Sequence, residues 1–141
     1  GDFIVEQHCH NFDKAAWVFR GEMPVACTGV GGRQVRTDPR YGHIYDHFAA
    51  TFEYRNGAKL FSACRQMAGC NGDVNDHVIG TRGHAHLMRH SIQVNGGPGW
   101  ELDPNTNIKS MYQVEHDELF ASIRAGRPIN DGESAAHSTL M

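Results

Sequence analysis

Apolar side chains recur at helical spacing in the segment that follows Asn11. Four of them occupy positions i, i+3, i+4 and i+7: Phe12, Ala15, Ala16 and Phe19. This pattern predicts a helix that buries one face, with Asn11 as its N-cap and Gly21 as its stop. The preceding residues 3–5 are apolar and partly β-branched, so we predict a short buried strand or an extended entry into the helix there, and not a longer helix. Residues 6–10 would then join a strand to a helix.

A period-two alternation across residues 45–54 predicts a strand. One face carries Phe48, Ala50, Phe52 and Tyr54, and the other carries His47, Ala49, Thr51 and Glu53. Asn56-Gly57 follows, a dipeptide that favours a two-residue type I′ turn into a second strand. In that register Phe52 lies opposite Phe61.

The remaining segments predict a second hairpin around residues 80–83, a helix over 111–126 and a last helix from Asp131. Strands joined by hairpins, with helices at both ends of the chain, indicate an α+β fold. We expect an open, largely antiparallel β-sheet with helices packed on one face. The other face would be free for domain or oligomer contacts. We expect it to mediate self-association, because an isolated domain would otherwise expose phenylalanines, namely Phe48, Phe52 or Phe61.

The composition suits one domain spanning residues 1–141. Its 40% of apolar residues suffice for a core. The formal charge of -3 is spread without long runs, so we expect neither nucleic acid nor a membrane surface as a partner. The four cysteines form no C-x-x-C pair and are interpreted as free thiols. The ten histidines are more than a chain of this length usually carries, and they require an explanation.

The densest polar cluster lies at residues 6–13. Glu6 and His10 are four residues apart and His10 and Asp13 are three apart, so in helical or turn geometry two carboxylates flank one imidazole. Carboxylate neighbours favour the charged form of a histidine and fix its tautomer. A histidine held in this way can move a proton to or from a hydroxyl or carbonyl oxygen. The alternative is that His10 is a capping or core histidine.

Two further groups of histidines have both a binding interpretation and a solvent-exposed one. If residues 41–47 are extended, one face collects hydrogen-bonding side chains: Tyr41, His43, Tyr45 and His47. We take Tyr45 and His47 as candidate substrate-binding residues. His84 and His86 point the same way on a predicted strand, but zinc normally requires a third protein ligand. We therefore predict no metal site.

A spaced motif near the N-terminus reads G-x-x-x-x-E-x-x-x-H-x-x-D, formed by Gly1, Glu6, His10 and Asp13. It resembles the segment G-x-x-x-x-D-x-x-x-H-x-x-D that opens the C-terminal domain of Gfo/Idh/MocA oxidoreductases. Other similar features follow in the same order: Trp17, the hairpin around residues 80–83, the segment 118–128 and the last helix at 135–140. The resemblance covers nearly the whole chain, and the order of its features is more specific than any one motif.

The resemblance implies that residues 1–141 are the C-terminal substrate-binding and oligomerisation domain of such an enzyme, separated from its nucleotide-binding domain. His10 would be the catalytic acid/base and Glu6 a second catalytic residue that neighbours it or binds substrate. Asp13 and His8 would contact the substrate. Glu6 replaces the commoner Asp of the family and is longer by one methylene.

NAD or NADP would be bound mainly by the absent N-terminal domain. The glycine cluster at residues 29–32 fails the pattern G-x-G-x-x-G, and no βαβ unit surrounds it. The Glu-Lys-Pro motif of the family is also missing. We therefore expect no cofactor-binding residue in this chain and no dehydrogenase activity from it alone.

The function expected by resemblance is oxidation or reduction of a hydroxyl or carbonyl on a sugar, cyclitol or similar polyol. One alternative is an NAD-dependent glycosidase of the same superfamily, and another is a non-enzymatic dimerisation or metal-binding module. The sequence names no particular substrate. A targeting segment would precede Gly1, so a cytoplasmic location is the default expectation and export is the alternative.

Overall fold

The computed structural model describes residues 2–141, which form two compact units. The first unit comprises the described residues up to Cys70 and Asn130–Met141, and the second comprises Asn71–Ile129. Gly1, the first residue of the spaced motif, lies outside the described residues. Helices accompany open antiparallel sheets, which confirms the predicted α+β class. The strands are divided between two sheets, whereas the sequence pattern indicated one.

Three helices and seven strands make up the regular structure of the described residues. In chain order they are α1 (Cys9–Val18), β1 (Ala26–Gly32), β2 (His47–Glu53), β3 (Lys59–Arg65), β4 (His77–Gly80), β5 (Gly83–His86), β6 (Ser91–Val94), β7 (Trp100–Glu101), α2 (Met111–Ala125) and α3 (Gly132–Leu140). The first sheet has the order β1-β2-β3 and the second the order β4-β5-β6-β7. Among the described residues, no helix is long and apolar enough to cross a membrane.

The N-terminal helical segment begins earlier than the sequence pattern indicated. A π-helical turn at Ile4–His8 runs directly into α1. The strand or extended entry predicted at residues 3–5 is therefore wrong, and Asn11 lies inside α1 instead of capping it. The physical reason is packing, because Ile4 lies against the aromatic core as part of the helix. Tertiary contacts thus override the β-propensity of a short segment.

An aromatic core joins α1 to the first sheet. Phe12, Phe52 and Tyr54 are between 2% and 4% exposed. The rings of Phe12 and Phe52 meet edge to face at 5.3 Å, and the rings of Phe19 and Tyr54 stack at 3.6 Å. Each buried aromatic side chain contributes about 1.5–3 kcal/mol to stability. This confirms the helical face predicted from the apolar spacing.

The hairpin between β2 and β3 has a different turn from the predicted one. Phe52 pairs with Leu60, and Phe61 pairs with Thr51. The amide of Tyr54 donates to the carbonyl of Ala58, which leaves a three-residue loop. This loop is a type I turn closed by a glycine in the left-handed region.

Two contacts account for the longer loop. The side chain of Asn56 accepts a hydrogen bond from the amide of Ala58 at 2.9 Å, and Gly57 has a φ of +86°. A shift of one residue moves a side chain to the other face of a sheet. The prediction that Phe61 lies opposite Phe52 is therefore wrong. Phe61 is 75% exposed on the face turned away from α1.

The second unit carries a histidine pair across β4 and β5. His77 and His86 are directly paired, and their rings meet at 4.4 Å. Nδ1 of His86 accepts a hydrogen bond from the amide of Arg89 at 3.2 Å. Burial, the neighbouring His77 and the charge of Arg89 together lower the pKa of His86 below its ordinary value of 6.5. A backbone hydrogen bond and Asp73 oppose this shift without cancelling it.

We predict that the Gly57→Ala variant is destabilised by about 1–2 kcal/mol, because a side chain at this φ is strained. Thermal unfolding checks this as a fall of several degrees in Tm. Gly72→Ala is the matched control, since Gly72 lacks a positive φ and a Cβ there meets nothing within 4 Å. Equal Tm values for the two variants would contradict the observed turn.

We predict that the β4–β5 hairpin loses stability as the pH falls below 6.5, the ordinary pKa of histidine. Because the pKa of His86 is lower in the folded state, the unfolded state binds more protons in this range, and acid favours unfolding. Hydrogen exchange of the β4 and β5 amides, corrected for intrinsic exchange, should report protection that falls by at most about tenfold per pH unit, the limit for one proton.

His86→Asn provides the control for this experiment. Asparagine keeps an acceptor for the amide of Arg89 but does not titrate. The variant should lose most of the acid dependence. An unchanged pH profile in His86→Asn would assign the effect to another group.

Candidate functional site

The candidate catalytic residues lie on one helical segment. Glu6 belongs to the π-helical turn, and His10 and Asp13 belong to α1. Glu6 and His10 are exposed, and Asp13 is partly buried. His10 and Asp13 are about one turn of α1 apart, and Glu6 precedes His10 by four residues across the π-helical turn, so the two carboxylates flank His10 along the segment. His10 lies about 160° around the helix from the core residue Phe12, whereas the partly buried Asp13 lies nearer to the buried face.

His8 faces the sheet. Its Nε2 atom lies 2.7 Å from Oγ of Ser62 on β3, and its ring meets Phe12 edge on at 5.0 Å. Ser62 is only 8% exposed, so this hydrogen bond satisfies a buried hydroxyl. His8 thus links the helical segment to the sheet, and its role as a substrate contact stays a prediction.

His8 and His10 diverge because two residues correspond to about 200° of helical rotation. They do not converge as a pair of metal ligands. Within residues 2–141, no group of three or more histidine, cysteine, aspartate or glutamate side chains is arranged to hold a metal ion.

The segment from Tyr41 to His47 is not extended, so the single face predicted for it is wrong. Tyr41 ends a 3-10 turn that begins at Pro39, and Gly42 follows with a φ of +66°. The ring of Tyr45 lies against Gly31, whereas the ring of His47 lies against Gly32. Adjacent residues of a strand face opposite sides of a sheet. Tyr45 and His47 are therefore not brought together, and each stays a separate candidate for substrate binding.

The strongest polar arrangement of the first unit surrounds Asp46, which the sequence analysis did not select. Its carboxylate is fully buried. It accepts hydrogen bonds from three successive backbone amides, those of Gln34, Val35 and Arg36, at 2.8–3.1 Å. Its Oδ1 atom also lies 2.8 Å from Nδ1 of His47. Successive amides of this kind form an anion-binding concavity, which here is filled by a side chain of the protein itself.

Two opposing effects act on the pKa of Asp46. Burial alone raises it, but the amides of Arg36 and Val35, the His47 side chain and the amide of Gln34 outweigh burial. The pKa is therefore well below its usual range, and the carboxylate is ionised at neutral pH. This favours the His47 tautomer that carries its proton on Nδ1 and leaves Nε2 as an acceptor. The sequence did not single out Asp46, since one Asp before a strand belongs to no spaced motif.

We predict that Asp46→Asn lowers Tm by about 5 °C or more, because an amide accepts fewer hydrogen bonds than a carboxylate and leaves buried backbone amides without a partner. In the native protein, Asp46 contributes its full stabilising effect at pH values above 3.8, which is the ordinary pKa of an aspartate. It is lost only as the pH falls through the lower pKa of the folded state. Thermal unfolding as a function of pH measures both effects.

Asp38→Asn is the matched control. Asp38 is exposed and accepts one local hydrogen bond from the amide of Arg40, which an asparagine also accepts. A Tm for Asp46→Asn equal to that of Asp38→Asn would show that the buried carboxylate does not hold the loop at residues 33–36.

The chain is similar to several solved oxidoreductase structures. The aldose-aldose oxidoreductase from Caulobacter crescentus, complexed with glycerol, is 24% identical with a TM-score of 0.69, over 94% of this chain and 40% of that chain. UDP-N-acetylglucosamine 3-dehydrogenase from Acidithiobacillus ferrooxidans is 17% identical with a TM-score of 0.71, over 94% and 42%. An oxidoreductase from Agrobacterium radiobacter in complex with NAD+, L-tartaric acid and magnesium is 13% identical with a TM-score of 0.67, over 98% and 44%.

At these identities the likeness shows a shared fold. The chain spans about two fifths of the length of these structures. No curated protein sequence matches it at a significant level. A sequence model of the GFO/IDH/MocA C-terminal domain matches residues 1–86. Since that match covers more than half of the chain, the chain belongs to the GFO/IDH/MocA C-terminal domain family.

Proposed function

We propose that this chain is the substrate-binding half of an NAD(P)-dependent oxidoreductase that acts on a hydroxyl or carbonyl group of a sugar, cyclitol or similar polyol. The observation that carries the proposal is the outward position of His10 on α1, between Glu6 and Asp13 and opposite the buried face. An exposed imidazole on a packed helix is accessible to a substrate, and the helix holds its backbone in place. The structural neighbours named for aldose and UDP-N-acetylglucosamine chemistry support the substrate class.

In this proposal His10 moves the proton of the reaction. When a hydroxyl is oxidised, the neutral imidazole accepts its proton, and in the reverse direction the imidazolium returns it to the carbonyl oxygen. Glu6, about one turn away, either orients the imidazole or accepts a hydrogen bond from a neighbouring substrate hydroxyl. Asp13 does the same from the other side. Paired carboxylates suit a polyol, because its hydroxyls are donors that ionised carboxylates accept strongly.

The described residues do not fit a dinucleotide site. The glycine cluster at residues 29–32 lies in β1, within an antiparallel sheet, and not in a turn before a helix. A Cβ at Gly31 would lie 3.0 Å from the carbonyl oxygen of His47, so this glycine permits close pairing of two strands. We therefore assign NAD(P) to a separate nucleotide-binding domain, which would also supply the hydride chemistry.

We predict that His10→Ala lowers kcat/KM by about 10²–10⁴-fold in the enzyme that combines this chain with a nucleotide-binding domain, because a positioned acid/base contributes on this order. The pH profile of kcat/KM should lose the ionisation that belongs to His10. Steady-state kinetics with a polyol substrate and NAD or NADP measure both effects.

His116→Ala is the matched control. His116 is also an exposed histidine on a helix, and its Nδ1 contacts only the carbonyl of Tyr112 in its own helix, at 2.7 Å. That variant should keep its activity. Equal rates for His10→Ala and His116→Ala would contradict the role proposed for His10. Turnover by residues 1–141 alone would contradict the assignment of the cofactor to another domain.

A further inference from the structure

The chain contains three Asn-Gly pairs, and the structure places them in three different surroundings. The two residues of such a pair can react with each other. Because glycine has no Cβ, its backbone nitrogen can approach the side-chain carbonyl carbon of the asparagine closely. The pairs are Asn56-Gly57, Asn71-Gly72 and Asn95-Gly96. All three asparagines are exposed, so exposure alone does not distinguish them.

Asn56-Gly57 is held by hydrogen bonds at both reacting groups. The amide of Gly57, whose nitrogen would be the nucleophile, donates to the carbonyl of Tyr54 at 2.9 Å. The side-chain oxygen of Asn56, on the carbon that would be attacked, accepts from the amide of Ala58 at 2.9 Å. Reaction requires both bonds to break, and together they should slow it by about tenfold or more.

Asn95-Gly96 is held at only one of the two reacting groups. The side-chain nitrogen of Asn95 donates to the carbonyl of Thr81 at 3.4 Å, and its backbone amide donates to the carbonyl of Arg82 at 2.9 Å. Among residues 2–141, the amide of Gly96 has no hydrogen-bond partner. We expect this pair to react at an intermediate rate.

Asn71-Gly72 has neither restraint. It lies between β3 and β4, outside the helices and strands. Within the part of the chain that the structure describes, neither the side chain of Asn71 nor the amide of Gly72 forms a hydrogen bond. A Cβ built on Gly72 would meet nothing within 4 Å, so the surroundings leave room for the ring that the reaction forms.

We propose that Asn71 is a site of spontaneous deamidation, at which the fold leaves an Asn-Gly pair reactive while it protects the pair at Asn56. The nitrogen of Gly72 forms a bond to Cγ of Asn71. The bond from Cγ to Nδ2 breaks, and Nδ2 leaves as ammonia with the proton of the Gly72 amide. Water then opens the resulting succinimide at either carbonyl, which gives aspartate or isoaspartate. Either product adds a carboxylate two residues before Asp73.

Incubation of the 141-residue chain at mildly alkaline pH tests the proposal, because the attacking amide must lose its proton. Trypsin cleaves after lysine and arginine, so the three asparagines fall in separate peptides, 56–59, 66–82 and 90–109. Mass spectrometry measures the replacement of NH2 by OH, and fragmentation of each peptide identifies the asparagine. We expect Asn71 to react fastest, Asn95 more slowly, and Asn56 about tenfold or more below Asn71.

The same measurement in concentrated urea separates the effect of the fold from that of the dipeptide. Urea unfolds the chain, so the rates at Asn56 and Asn95 should rise to that of Asn71. In the folded chain, Gly72→Ala should slow the reaction at Asn71, because a methyl group obstructs the attacking nitrogen, and the unchanged rate at Asn95 is the internal control. The proposal is overturned if Asn56 reacts as fast as Asn71 in the folded chain, if Asn71 does not react, or if the difference persists in urea.

Discussion

The packing of α1 on the first sheet determines where every candidate residue of the site points. Phe12 is inserted against Phe52, and His8 bonds Ser62 on β3. A helix fixed at two points along one face cannot rotate without losing both contacts. The polar residues of the opposite face are therefore held in one orientation, although they contribute little to the core themselves. The chemistry proposed for His10 depends on this separation between a face that packs and a face that reacts.

A second constraint acts at one end of the same sheet, where β1 ends and β2 begins. The loop at residues 33–36 has no regular structure, yet its amides converge on the buried carboxylate of Asp46. A charge in a protein interior requires such donors, because desolvation would otherwise favour the neutral acid. The same carboxylate holds His47 by one ring nitrogen. Within the loop, order thus comes from side chains that bond its backbone: Asp46, and also Arg33, whose guanidinium donates to the carbonyl oxygens of Arg36 and Gly42.

The sequence predicted the features that arise from repeated patterns. The apolar spacing in α1 and the alternation in β2 were predictable because each is governed by local geometry. The turn after β2 was not, since Asn56-Gly57 is compatible with two loop lengths and the side-chain bond to Ala58 selects the longer one. Burial of Ile4 likewise determined the start of the helical segment against its own propensity.

The candidate site also contains residues that the sequence predicted and residues that it did not. Glu6, His10 and Asp13 were found through their spacing, and a helix translates spacing directly into position. Asp46 was not found, because its hydrogen-bond partners are backbone amides, which every residue type except proline has. Tyr45 and His47 were grouped on the assumption of an extended segment, but their rings lie against different glycines, Gly31 and Gly32. Patterns along the chain therefore predict helix faces better than they predict loops.

The π-helical turn at Ile4–His8 has a consequence for how such a domain diversifies. A π turn holds one more residue than an α turn, so the loss of one residue there would restore a continuous α-helix. The part of α1 that carries Phe12, from Cys9 onward, would stay packed on the sheet. Glu6 would swing around the axis together with the other residues of the turn, among them Ile4, which packs against the core. A single codon gained or lost in this turn is thus a short evolutionary path to a new set of polar groups beside an unmoved histidine.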